Sequence, residues 1–92
     1  MDLTELRTEI DAIDRELIAL LERRMDVAAG IAAYKQERGL PVLDAAREAQ
    51  KLDAVRAQCR PETAENIAGV LEAVMAASRA HQKRLMEDGH GE

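Results

Sequence analysis

Leu3, Leu6, Ile10, Ile13, Leu17, Leu20, Arg24, Val27, Ile31 and Tyr34 follow one another at alternating spacings of three and four residues. A repeat of that period predicts one long helix with a coiled-coil-like seam. Nine of its ten seam positions are apolar or aromatic, and the tenth is Arg24. An uncompensated charge in such a seam costs at least ~3 kcal/mol, by analogy with a broken buried ion pair. Two kinds of compensation fit. One is a bound anion. The other is structural: a carboxylate partner, or a side chain that reaches water along its aliphatic stem.

The helix is expected over Leu3–Arg38, with Asp2 as its N-cap. Gly30 inside it is a tolerated weak spot of about 1 kcal/mol against Ala. "RGLP" ends it, because Gly39 suits the position after the last turn and Pro41 blocks continuation. A second helix is expected from an Asp44 cap to Gln58. "CRPET" breaks the chain, and a third helix follows with Pro61 in its first turn, running to about Met86. Its predicted buried face is Ile67, Val70, Leu71, Val74 and Met75, continuing through Ser78, Gln82 and Leu85. No strand pattern or repeat appears. The expected fold is all-α, a single domain of three helices over residues 1–92, with 87–92 as a frayed tail. The first helix would be ~54 Å long at 1.5 Å per residue. Two shorter helices cannot cover such a rod, so a homodimer with the long helices packed together is expected.

Composition narrows the chemistry. With one tyrosine and no Phe or Trp, the core must be aliphatic. The net charge of −5 and the lack of stacking platforms exclude nucleic acid as the natural partner. No apolar run approaches the ~20 residues of a membrane span. "MDLTELRTEI" is acidic and amphipathic, unlike a signal peptide. Cys59 has no second cysteine to pair with, which fits a reducing cytoplasm, and it reads as a passive residue near a helix end. His81 and His90 do not form a metal-ligand pattern, and no metal or cofactor is expected.

Further polar residues interrupt the apolar stripes. Lys35 lies eleven residues after Arg24, so the two project within about 20° of one another. They form either a solvated basic edge or a paired grip on an anion. Arg7 is seventeen residues before Arg24, ~25 Å along the same axis, and cannot share a site with it in one chain. A partner's Arg7 could be carried there in an antiparallel dimer; otherwise Arg7 is a surface residue. Ser78 and Gln82 lie one turn apart on the third helix, on its apolar stripe, where buried polar groups need partners. A helical serine can satisfy itself on the backbone, and Gln82 near the end could simply be hydrated. Asp44 and Glu48 are one turn apart on the second helix, with Arg47 between them. Asp44 has a role as a cap, and Glu48 has Lys51 or the neighbours of Arg47 as pairing candidates. No nucleophile, metal cluster or glycine-rich phosphate loop accompanies these carboxylates. Any chemistry here is cofactor-free and non-covalent, on a small polyanion inside a helical bundle.

These residues resemble the all-helical class of chorismate mutase, the domain also found fused to prephenate dehydratase or dehydrogenase. The markers are "LR" at 6–7, "LLERR" at 20–24, Lys35, "LPVLDAAREA" at 40–49 and "SRAHQ" at 78–82. The resemblance covers about Leu3 to Leu85, with a short connection before the third helix. It implies an intertwined helical homodimer that converts chorismate to prephenate by a [3,3]-sigmatropic rearrangement, on the shikimate route to phenylalanine and tyrosine. It also implies residue roles. Arg24, with Arg7 of the partner subunit, would bind the two substrate carboxylates. Lys35 would contact a carboxylate and the ether oxygen, and Gln82 would donate to that same oxygen. Glu48 would bind the ring hydroxyl, helped by Asp44. Ser78 would support a carboxylate, and Arg47 would line the pocket.

Three alternatives stand beside this reading. Isochorismate pyruvate lyase resembles the same fold and also runs a cofactor-free pericyclic reaction. A mutase of the 4-amino analogue of chorismate should differ around the hydroxyl-binding acids. A catalytically silent dimerisation module would fill the stripe-breaking positions with Leu or Ala.

Overall fold

The computed structural model describes residues 1–89. Its element order is α1 (Leu3–Arg38), α2 (Ala45–Gln58) and α3 (Ala64–Gly89). His90 and the rest of the expected frayed tail beyond Gly89 lie outside the described residues.

Local chemistry sets the helix ends. Asp2 is extended, and its carboxylate accepts from the Glu5 backbone N–H at 2.8 Å. At the other end of α1, Gly39 takes φ 65°, a left-handed conformation that a Cβ would disfavour. That turn lets Leu40 N–H donate to the Lys35 carbonyl at 2.8 Å and Gly39 N–H to the Gln36 carbonyl at 3.4 Å. This double closure is the Schellman motif. Asp44 caps α2 by accepting from the Arg47 N–H at 3.1 Å. Cys59 is the half-buried C-cap of α2.

Pro61 does not sit in the first turn of α3. Thr63 N–H donates to the Arg60 carbonyl at 3.1 Å, which closes a turn with Pro61 in its second position. Proline's fixed φ favours that position as much as it favours a helix start. The helix begins after this turn, with Ile67 N–H on the Thr63 carbonyl at 3.0 Å. It continues to Gly89, three residues beyond the expected end.

α3 packs against both other helices, whereas α1 and α2 do not pack on each other among the described residues. Gln36 Nε2 reaches the Met86 carbonyl at 3.2 Å, which puts the C-terminal ends of α1 and α3 together. Arg79 with Glu48, and Arg56 with Glu65 at 2.9 Å, set α2 antiparallel to α3. The exposed Arg56–Glu65 pair marks that register while adding at most ~1 kcal/mol.

The assembly measures 55 × 28 × 14 Å. α3 lies between α1 and α2, which do not pack on each other among the described residues. The three helices therefore form a single layer, and a single layer has little interior. The buried apolar residues are Ala28, Ala32, Val55, Ala68 and Met75, three of them alanines that bring backbones close. The buried stripe of α3 is Ala68, Met75, Ser78 and Gln82, not the larger Ile67 and Val70, which are exposed. Small Ala68 allows close approach, and Ile67 and Val70 turn to the uncovered face. Along α1 the seam is exposed from Leu3 through Leu20, and again at Val27, Ile31 and Tyr34. Only the second half of α1, through Ala28 and Ala32, is covered by α3.

Candidate functional site

The three helices converge on one cleft of about 510 Å³. From α1 come Arg24, Val27, Ala28, Ile31 and Lys35. The connection contributes Val42, and α2 contributes Asp44, Arg47, Glu48 and Lys51. Met75, Ser78, Arg79 and Gln82 come from α3. On α2 and α3 the lining positions step by three, one and three residues, the spacing of a single helix face. Each helix thus turns one face inward, about two turns of α2 and α3 and about three of α1, and polar residues occupy what would otherwise be apolar slots.

Seven of the eight residues singled out in the sequence line this cleft: Arg24, Lys35, Asp44, Arg47, Glu48, Ser78 and Gln82. Arg7 does not. It is exposed on the uncovered half of α1, well away from the cleft of its own chain. Arg24 is half-buried, at the edge where the seam meets the stripe covered by α3. A straight helix drifts ~20° per heptad against a strict seven-residue repeat, which moves the C-terminal end of the seam off that stripe.

Two lining cations were not singled out. Lys51 is one turn beyond Arg47 on α2, and Arg79 is one turn before Gln82 on α3. Their helical spacing from Glu48 and Gln82 was the available signal. Glu48 pairs with Arg79 across the α2–α3 boundary rather than with Lys51 or a neighbour of Arg47. The antiparallel register of the two helices decides that.

The charge balance of the cleft inverts that of the chain. Five cations (Arg24, Lys35, Arg47, Lys51 and Arg79) face two carboxylates, Asp44 and Glu48, in a protein of net charge −5. The carboxylates are already engaged, Asp44 with the α2 cap and Glu48 with Arg79. Among the described residues, no carboxylate pairs with Arg24, Arg47 or Lys51. Lys35 Nζ donates to the Val42 carbonyl at 2.7 Å, which anchors the chain between α1 and α2 and leaves its remaining N–H donors free. The potential inside the cleft is therefore positive, and a small polyanion is the complementary ligand.

The floor of the cleft is polar and buried. Ser78 and Gln82 are 7% and 6% exposed. Gln82 Nε2 donates to Ser78 Oγ at 3.1 Å, and Gln82 Oε1 is buried without a partner. A half-turn of the amide would let the Ser78 hydroxyl donate to Oε1 and point an N–H where the orphaned oxygen now lies. The amide therefore has hydrogen-bonding capacity to offer on the cleft side. Among the described residues, no group of three or more His, Cys, Asp or Glu is placed to hold a metal ion.

The family "Chorismate mutase type II" matches residues 6–83. The T-protein of Haemophilus influenzae is 34% identical over 85 residues, 90% of this chain, which in turn spans 22% of that relative's length. The chorismate mutase of Methanocaldococcus jannaschii is 28% identical over 88 residues, covering 94% of this chain and 89% of that protein. The 4-amino-4-deoxychorismate mutase of Streptomyces venezuelae is 39% identical over 46 residues, 50% of this chain and 45% of that protein. No solved structure matches the chain. The polar stripe-breakers meet in one cationic cleft, and the family match spans all three helices: the chain belongs to the chorismate mutase type II family.

Proposed function

We propose that this cleft binds chorismate and rearranges it to prephenate, a cofactor-free step of aromatic amino acid biosynthesis. The carrying observation is the set of three cations, Arg24, Arg47 and Lys51, left without a carboxylate partner beside a buried amide. Chorismate is a dianion with a flexible enolpyruvyl arm. Its rearrangement is unimolecular and needs no acid, base or nucleophile. Catalysis then rests on holding the arm folded over the ring and on stabilising the charge that develops on the ether oxygen as the C–O bond breaks.

Each residue has a part in that scheme. Arg24 grips one substrate carboxylate with a bidentate fork. Lys35, steadied by the Val42 carbonyl, contacts a carboxylate and the ether oxygen. Gln82 donates to the same oxygen after its amide turns. Ser78 supports that amide and a carboxylate. Glu48 accepts from the ring hydroxyl, Asp44 holds the start of α2 beside it, and Arg47 lines the wall.

The active form in this proposal is an intertwined homodimer in a reducing cytoplasm. The exposed seam of α1 supports it, since a contiguous apolar strip of this length marks an interaction surface. Arg7 of the partner subunit would complete each cleft by binding the second carboxylate. Among the described residues, no helix is long and apolar enough to cross a membrane, and the single cysteine fits the compartment.

Loss of the ultraviolet absorbance of chorismate on incubation with the purified protein, with prephenate as product, is the direct test. Pyruvate release from isochorismate without turnover of chorismate would instead assign the lyase reaction. No turnover of either would leave a helical dimerisation module.

A further inference from the structure

Among the described residues, Glu48 and Arg79 are the cleft's one ion pair between side chains of different helices. Arg79 Nη1 donates to Glu48 Oε1, and both side chains are largely buried, 33% and 24% exposed. Arg47 and Lys51 flank Glu48 along α2, but neither lies within ion-pair distance of it. The neutralising partner of Glu48 is therefore Arg79 alone, and it comes from the opposite wall.

We infer that Arg79 is a positioning residue that neutralises Glu48, so that the site accepts a ring hydroxyl and discriminates against a charged amine at the same ring position. The inference rests on the proposed mutase activity. Asp44 is committed to capping α2 through the oxygen that faces Arg47 N–H. Glu48, half-buried in the cleft where Asp44 is exposed at its edge, is the carboxylate set to accept from a ring substituent. Its partner occupies one oxygen, Oε1, and leaves Oε2 as acceptor. An aliphatic amine at that ring carbon is protonated at neutral pH. Beside a neutral Glu48–Arg79 pair, such an ammonium gains little Coulomb attraction and meets the nearby guanidinium. A hydroxyl loses nothing, because it needs an acceptor and carries no charge. Removing the guanidinium leaves Glu48 without its ion-pair partner, and the preference should then move toward the cation.

A plain structural tie between α2 and α3 would have no such effect on substrate choice. The test compares chorismate with 4-amino-4-deoxychorismate in the wild type, Arg79→Gln and Arg79→Lys. The readout is the ratio of their kcat/KM values; where the amine is not turned over, its inhibition constant against chorismate is used. Arg79→Gln should move the ratio toward the amine by ~10-fold or more, the size of one partly screened charge interaction. Arg79→Lys keeps the charge and should restore most of the wild-type ratio. An unmoved ratio in Arg79→Gln, with the wild type active on chorismate, overturns the inference and leaves the mutase reading intact. Loss of both activities in a normally helical Arg79→Gln would make Arg79 a direct substrate ligand and also overturns it. A wild type that turns over neither compound overturns both.

Discussion

Gln82 donates its amide to Ser78 Oγ at 3.1 Å, one helical turn away, while its own carbonyl oxygen stays buried without a partner. The amide lines the cleft with hydrogen-bonding capacity to spare, which makes it the most specific probe of the proposed chemistry. A glutamate at position 82 is nearly isosteric but donates only when protonated. Above its pKa it sets a negative charge against an oxygen that is itself becoming negative. Gln82→Glu should stay helical and be nearly inactive at pH 8. It should regain activity on acidification, with a midpoint above the ~4.3 of free glutamate, because burial and an anionic substrate favour the neutral form. The wild type should vary much less over the same range. Measuring kcat/KM against pH, with circular dichroism as the folding control, decides it. Equal activity of the variant at pH 5 and pH 8 would remove Gln82 from the reacting oxygen.

The cations should rank in a definite order. Arg24→Ala and Lys35→Ala should each lower kcat/KM by ~10²-fold or more, the scale for losing a preorganised donor. Arg24→Lys should also be poor, since a point charge does not replace a planar fork. Ser78→Ala should be mild. Steady-state kinetics that placed Ser78→Ala below Lys35→Ala in activity would overturn the ranking.

Arg7 is exposed and absent from its own chain's cleft, so its proposed role requires two chains. Arg7→Ala and Arg24→Ala proteins should each be inactive alone. After mixing under conditions that exchange subunits, activity should return, because one site of each heterodimer keeps both arginines. Exchanged heterodimers that remain dead would exclude a shared site.

Gly39 and Asp44 bracket the connection that carries Val42 to Lys35. Gly39→Ala forces a Cβ into the left-handed region and should destabilise the fold by about 1 kcal/mol. For a chain of this size that is a drop of ~4–8 °C in melting temperature. Asp44→Ala removes a cap worth ~1 kcal/mol, whereas Asp44→Asn keeps a capping oxygen and should melt near the wild type. Thermal circular dichroism separates the pair. Equal melting of the Ala and Asn variants would mean that capping is not what Asp44 supplies to stability.

Much of this organisation was readable in one dimension because it is local. The span of α1, the Asp2 and Asp44 caps and the left-handed Gly39 depend on neighbours within a few residues. Pro61 was misread for the same reason in reverse: its φ suits a turn as well as a first helical residue, and the Arg60–Thr63 hydrogen bond decides between them. Arg24, Lys35, Ser78 and Gln82 stood out because each breaks an apolar stripe. Lys51 and Arg79 did not, because a charged residue beside a stripe looks like any solvated one. Only the antiparallel register of α2 on α3, which no single-helix pattern contains, brings Arg79 to Glu48. On the expected face of α3, Met75, Ser78 and Gln82 are buried within the chain, whereas Ile67 and Val70 lie on the side that α1 and α2 leave uncovered, and Ala68 is what the close approach selects.

The layering of the helices, with α3 between α1 and α2, has a consequence for how the proposed dimer behaves on dilution. A single layer of helices encloses little hydrophobic volume; in the proposed homodimer a second copy supplies the other layer, and folding and association become one event. Unfolding is then a dissociation, and its equilibrium carries units of concentration. Each tenfold dilution removes about 1.4 kcal/mol of stability per dimer with no change in any contact. For the proposed dimer the amount of protein in a preparation is itself a stabilising variable, and melting temperatures taken at different concentrations describe different points on one curve.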